Sequence, residues 1–145
     1  MTLSTATGGL TVTPAADYSM NFGNVNGLGI GPAAGLTTVS VAGGKVYSTP
    51  YLLNPVFTDF TSTTATIKVA LTTNFAHPVI LQLDDSGSSG GPFAQITPAA
   101  LQITKTAGDR SSITRYLGLF VSNTNGAGAF TGSDTATLTF TMTVP

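Results

Sequence analysis

The chain lacks several residue types on which common protein activities depend. Its 145 residues include no cysteine and no tryptophan, and only 8% of them are charged. Without cysteine there is no disulfide, thiolate metal site or cysteine nucleophile. Glutamate is also absent, so every acidic residue is an aspartate. Since glutamate favours helices whereas aspartate favours turns and caps, this imbalance argues against helical structure.

Charge and hydropathy bear on partners and location. The five Lys and Arg residues are scattered and the formal net charge is −1, so we expect no nucleic-acid partner. No apolar run approaches the roughly 18 residues that a membrane-spanning helix needs, so we expect no membrane span. The first residues lack the basic and then apolar pattern of a signal peptide. Low charge with abundant Thr, Ser and Gly favours an extracellular or cell-surface location.

The clearest pattern lies near the C-terminus, where residues 136–144 read A-T-L-T-F-T-M-T-V. Apolar residues alternate there with threonine. Because successive side chains of a β-strand point to opposite faces, this pattern predicts a strand with one dry and one wet face. Threonine suits the wet face, since its branched β-carbon favours extended backbone and its hydroxyl meets water.

Shorter segments of the same kind recur along the chain and predict a single domain over residues 1–145. Eight to ten short strands separated by turns indicate an all-β fold. We expect an antiparallel β-sandwich with an immunoglobulin-like or pilin-like Greek key, and the alternative is a jelly roll. Besides the C-terminal strand, the pattern predicts strands around residues 10–13, 18–22, 36–41, 63–71, 79–83, 101–103 and 113–121. The strand at 113–121 is apolar on both faces, so we expect it to be central.

Glycine and proline mark the expected interruptions. Residues 23–35 predict a Gly-rich loop, and residues 84–91 predict a polar turn. Pro50 is expected to place residues 45–53 at a sheet edge or across a bend, because proline donates no ladder hydrogen bond. Pro55 is expected to break the chain again.

Groups able to do chemistry are few. A hydrolase would need His77, the one histidine, to meet an acid and a nucleophile from distant parts of the chain. Since no G-x-S-x-G motif occurs, we interpret His77 as a surface or turn residue. Asp84 and Asp85 could offer oxygen ligands to Ca²⁺, but their spacing does not match an EF-hand loop, so they are only weak metal candidates. The sequence predicts no catalytic residues, no cofactor and no enzymatic activity.

The tyrosines leave one binding activity open. Tyr18, Tyr47, Tyr51 and Tyr116 could form an aromatic platform for carbohydrate. Packing in the core or at an interface is the simpler role for such rings. Carbohydrate therefore stays as an alternative partner.

Three segments carry a resemblance to a known group of proteins. They are the M-N-F-G-N-V segment at residues 20–25, the tail over residues 118–144 with its N-T-x-G loop and D-T strand, and the alternating N-terminus. The sequence resembles bacterial pilin-like surface proteins, namely the archaic chaperone–usher pilins and spore-coat-U-like domains. That resemblance implies a β-sandwich whose N-terminal segment completes the sandwich of a neighbouring subunit.

Residues 1–13 allow two interpretations. As an assembly strand they would place Ala6, Gly8, Leu10 and Val12 on one face and pair with a neighbour by β-augmentation. Alternatively they form the first strand of their own sandwich. The leading hypothesis is a non-enzymatic structural or adhesive subunit that associates with itself or with a related surface subunit. The alternative is a module that binds carbohydrate or another surface polymer.

Overall fold

The structure, a computed structural model, describes residues 2–5, 8–13, 20–29, 31, 35–57, 65–105, 111–123 and 133–143. This part of the chain contains strands and no helix. Accordingly, none of the segments described forms a helix that could cross a membrane. The strands are β1 (Thr2–Thr5), β2 (Gly8–Thr13), β3 (Thr37–Val41), β4 (Gly44–Phe57), β5 (Ala65–Thr73), β6 (Leu81–Ser86), β7 (Ala94–Gln95), β8 (Leu101–Lys105), β9 (Ile113–Ser122) and β10 (Thr137–Thr143).

The strands form two sheets. A four-stranded sheet has the order β1-β10-β5-β8, and a six-stranded sheet has the order β2-β4-β9-β6-β7 with β3 also paired to β4. All pairings are antiparallel except that of β1 with β10, which is parallel. From β4 to β10 the chain changes sheet at every connection except β6 to β7. These features confirm the predicted all-β antiparallel sandwich.

Each sheet turns an apolar face towards the other, and burial of these faces is the main stabilising contribution. On β5 and β10 the buried positions are those that the alternation predicts, and the intervening threonines lie on the outer face. The two faces meet where Tyr51 of β4 packs edge-to-face on Phe140 of β10, with ring centroids 5.6 Å apart. Members of the core from the four-stranded sheet are Ile67, Val69, Leu71, Ile103, Leu138, Phe140 and Met142; those from the six-stranded sheet include Tyr47, Tyr51, Leu53, Leu81, Leu83, Leu117, Leu119 and Val121.

Strand β4 corrects one of the two placements predicted for residues 45–53, namely that Pro50 puts them at a sheet edge. The strand is 14 residues long, pairs with β9 along one side, and is not broken at Pro55. On its other side it pairs with β3 through residue 48 and with β2 from residue 52. Pro50 lies in the gap between these two partners, where a missing N–H disrupts no pairing with either of them.

Other expectations need smaller corrections. Residues 20–23 do not form a strand, although Met20 and Phe22 pack against the core, and Tyr18 lies outside the described residues. Val79 stands in a turn with 69% of its surface exposed, and β6 begins only at Leu81. By contrast, β9 lies between β4 and β6, which confirms its predicted central place.

Candidate functional site: the N-terminal edge and a buried polar cluster

The first two strands close one side of the sandwich. β1 is an edge strand of the four-stranded sheet, and β2 is an edge strand of the six-stranded sheet. The two strands contact each other, and β2 also approaches β10. Residues 2–5 and 8–13 therefore lie along the same side of the molecule, one in each sheet.

β1 covers most of the free edge of β10. Thr2–Thr5 pair with residues 139–142, so Leu3 stands opposite Phe140 and Thr5 opposite Met142. Phe140 and Met142 are both buried. A β10 without β1 would present a row of unpaired backbone N–H and C=O groups beside this part of the core.

The residues predicted to form an assembly strand occupy a different place. Gly8, Leu10 and Val12 lie on β2 and pair with β4, whereas Ala6 lies outside the described residues. In this register Val12 stands opposite Leu53, which is fully buried. The edge of β10 is taken instead by residues 2–5, a four-residue segment too short for an alternation pattern to single out.

A buried polar cluster, formed by Tyr51, Asp85 and Arg115, lies on the inner face of the six-stranded sheet. The Tyr51 hydroxyl donates a hydrogen bond to Asp85 Oδ1 over 2.6 Å, and Arg115 Nη2 donates to Asp85 Oδ2. The Asp85 side chain is 0% exposed, and that of Arg115 is 23% exposed. Among the described residues, the buried Nε of Arg115 has no hydrogen-bond partner.

The environment of the cluster stabilises one charge state of each donor. Burial, followed by the neighbouring Asp85 carboxylate, raises the pKa of the Tyr51 hydroxyl far above its ordinary value, so Tyr51 stays protonated and remains a donor. Burial alone would lower the pKa of the Arg115 guanidinium, but the hydrogen bond and charge of Asp85 outweigh it and raise that pKa. Both carboxylate oxygens of Asp85 are thus satisfied by protonated donors, as a buried carboxylate requires.

This cluster was not predicted from the sequence, although a signal for it exists there. Asp85 is in phase with Leu81 and Leu83 on one strand, and Arg115 is in phase with Leu117 and Leu119 on another. A charged residue in phase with buried apolar residues is placed on the inner face and needs a partner there. The partners themselves are not readable from the sequence, because they come from three strands.

Asp84 and Asp85 do not form the polar turn that was expected. Both belong to β6 and are buried, so adjacent positions direct them to opposite faces of the sheet. The two side chains therefore do not converge on one site. Asp84 accepts a hydrogen bond from Gln82 Nε2 over 2.9 Å, and burial raises its pKa. Among the described residues no group of three or more acidic or histidine side chains could hold a metal ion.

His77 does meet an acid, in a turn. Its Nδ1 lies 2.9 Å from Asp134 Oδ2, and the same carboxylate accepts backbone N–H bonds from Ala76, His77 and Thr135. Burial by itself would raise the pKa of Asp134, but these hydrogen bonds outweigh it and lower the pKa. The Asp134 carboxylate accepts most of its hydrogen bonds from backbone N–H groups. These bonds join the turn before β6 to the segment that leads into β10.

The tyrosines with described side chains are mostly internal. Tyr47 and Tyr51 are buried, and the Tyr47 hydroxyl donates to the backbone carbonyl of Asn26. Only Tyr116 is partly exposed. Tyr47 and Tyr51 therefore pack in the core, and the described tyrosines do not line up as an external platform.

The fold is similar to that of the P pilus rod subunit PapA in its crystal structure. The TM-score is 0.55 and the sequence identity is 16%, and the match covers 97% of this chain and 100% of the other. No protein-family model matches the sequence, and no curated protein is significantly similar to it in sequence. At this identity the likeness is one of fold, which favours the pilin-like sandwich over a jelly roll. The chain therefore has a pilin-like β-sandwich fold, as the resemblance in its sequence predicted.

Proposed function

We propose that the protein is a structural subunit of an extracellular or surface fibre, and that it assembles with like subunits by exchanging its N-terminal segment. The observation that carries this proposal is the position of β1. Four residues cover the edge of β10, they run parallel to it, and they belong to the very segment that closes the sandwich. The fold shared with a pilus rod subunit supports a structural role in place of a catalytic one.

Exchange requires that a second copy reproduce the contacts of the first. The contacts of β1 and β2 are backbone ladders along β10 and β4, with apolar positions opposite buried partners such as Phe140 and Leu53. The same segment of a neighbouring copy can form the same ladders, because strand addition depends mainly on backbone hydrogen bonds. Each copy would then give one segment and receive one. A head-to-tail contact of this kind generates a fibre when the rotation does not close a ring.

A disulfide trap tests the proposal on the full chain. Because the protein has no cysteine, the double variant Thr2→Cys, Thr139→Cys introduces a single pair of opposed thiols between β1 and β10. Directly opposed residues lie within the Cα separation that a disulfide spans, about 4.4–6.8 Å. Oxidation after incubation at high concentration should yield covalent ladders on a non-reducing gel.

A second cysteine pair provides the matched control. Thr66 and Thr143 are opposed on β5 and β10, which do not take part in the exchange. The variant Thr66→Cys, Thr143→Cys should therefore remain a covalent monomer under the same conditions. Monomers alone from the β1–β10 pair, at every concentration and after long incubation, would contradict strand exchange.

Point variants give an independent readout by light scattering and electron microscopy. Leu10 stands opposite the buried Pro55, whereas the adjacent Thr11 stands opposite Asn54, which is less buried. Leu10→Asp should abolish fibres, because it places a charge opposite a buried position of the acceptor strand. Thr11→Asp should leave assembly nearly unchanged, and equal effects of the two substitutions would contradict the proposed register.

A further inference from the structure

The hydrophobic pattern of the six-stranded sheet determines the register of its strands only weakly. β9 carries Leu117 and Leu119 on its inner face but Tyr116 and Phe120 on its outer face. β4 has buried residues on both faces as well, with Tyr47 inside and Val46 outside. A one-residue slip moves the entire set of side chains of a strand to the other face. Such a slip of β9 would still bring large apolar side chains to the core.

The polar cluster distinguishes the native register from these alternatives. Tyr51 and Arg115 are directly opposed on β4 and β9, and Asp85 lies on β6, the other neighbour of β9. A one-residue slip of β9 would send the guanidinium to the opposite face. A two-residue slip would move it by roughly 6.6 Å along the strand, beyond hydrogen-bonding reach of Asp85. Either slip leaves a carboxylate that is 0% exposed without its cation.

We infer that Tyr51, Asp85 and Arg115 are positioning residues that select the register of β4, β9 and β6. An apolar cluster of similar volume would bury the same surface without this selectivity, since hydrophobic contacts are non-directional. The cluster is limited to these three strands. Strands β5 and β10 of the other sheet do not need such a polar cluster, because the alternation of apolar and polar residues already separates their two faces.

The experiment compares the full-length protein with the triple variant Tyr51→Phe, Asp85→Leu, Arg115→Met. Replacing a buried ion pair by apolar residues is often neutral or stabilising, so the variant should fold and melt at or above the wild-type temperature. Its NMR spectrum should show additional sets of amide peaks for β4, β6 and β9, together with inter-strand contacts of a shifted register. A single set of peaks with wild-type contacts would overturn the inference. Failure to fold would also overturn it, because the cluster would then supply stability and not selection.

A milder variant gives a second readout. Tyr51→Phe removes one hydroxyl, and we expect exchange broadening in the β4 and β9 amides and about tenfold faster hydrogen exchange there. The matched control is Tyr47→Phe, which removes the hydroxyl of another buried tyrosine of β4 whose partner is a loop carbonyl and not a strand. If both substitutions produce the same exchange behaviour, Tyr51 has no special role in the register.

The cluster also has a consequence for assembly, which rests on the proposed function. Tyr51 packs on Phe140, which is opposite Leu3 of β1, so the cluster contacts the strand edge from which β1 would withdraw. A β4 held in register would keep Phe140 in place beside that edge for an incoming segment. The triple variant should therefore form fewer fibres at equal thermal stability. A wild-type protein that never assembles would refute the proposed function alone, since the NMR comparison requires no assembly.

Discussion

The four-stranded sheet alternates apolar and polar residues along its strands, whereas β4, β6 and β9 of the six-stranded sheet carry buried residues on both faces. On β10 the threonines lie on a face that borders solvent, so the pattern in sequence and the burial in the structure coincide. On the outer face of β9, a β-carbon added at Gly118 would lie 2.7 Å from Val46 Cγ1 and 3.0 Å from Phe93 Cδ1, so side chains crowd this face as well. A sheet covered on both sides loses its alternation.

This difference shows what each sheet needs in order to fold uniquely. Where one face is wet, the hydrophobic pattern itself selects the register. Where both faces are covered, directional contacts have to select it, and the cluster of Tyr51, Asp85 and Arg115 supplies them. Variants in the two sheets should therefore fail for different physical reasons.

The largest effect is expected from lost volume in the four-stranded sheet. Phe140→Ala should lower the free energy of unfolding by about 3–5 kcal/mol, because Phe140 is buried between the sheets. The neighbouring Thr141→Ala lies on the outer face and should change it by less than about 0.5 kcal/mol. Urea unfolding measures both, and similar losses would show that the alternation does not separate the faces as described.

A charge effect of somewhat smaller size is expected in the six-stranded sheet. Asp85→Asn leaves the Arg115 guanidinium without its carboxylate and should lower the free energy of unfolding by about 3 kcal/mol. We take the low end of the usual range because Arg115 keeps some contact with solvent. Urea unfolding at pH 7 checks this value, and a loss below about 1 kcal/mol would argue against a buried ion pair.

The turn that joins the two sheets should respond to acid. Asp134→Asn weakens the bonds to three backbone N–H groups and should lower the free energy of unfolding by about 1–2 kcal/mol at pH 7. The pKa of Asp134 is lowered by folding, so its contribution is complete above about pH 4 and disappears as the pH falls through the folded value. The gap between wild type and variant should close in acid, and a gap independent of pH would contradict this origin.

The smallest effect, and one of opposite sign, is expected at Asp84. Burial raises the pKa of this carboxyl, so wild-type stability falls as the pH rises from about 4 through the folded value. Asp84→Asn keeps an acceptor for Gln82 but removes the buried charge, and should raise the urea midpoint at pH 7 slightly. The two midpoints should converge below about pH 4. If Asp84→Asn destabilised the protein at neutral pH, the Asp84 carboxylate would have to make a stabilising interaction that outweighs the cost of its burial.

Asp84 and Asp85 allow the most direct comparison of the effects of the same substitution, because they are adjacent on β6. The same substitution, Asp to Asn, should stabilise at one position and destabilise at the next. The difference depends only on which face of β6 each residue occupies and whether a cation lies there.

The sequence by itself determined the elements in which neighbouring residues carry the information. The alternation of β10 and β5 follows from a period of two along consecutive residues. The central place of β9 follows from its apolar residues on both faces, and the β-sandwich class follows from the number of short strands separated by turns. The likeness to pilins was also visible in the sequence, and the shared fold agrees with it.

Only the tertiary structure decided how distant segments meet. Pro50 is central because two short strands share one side of β4, and no local pattern announces that arrangement. His77 reaches Asp134 across 57 positions, and Tyr51 reaches Asp85 across 34. Alternation specifies the face that a residue occupies, but its partner on that face depends on strand order and register, which are properties of the folded chain as a whole.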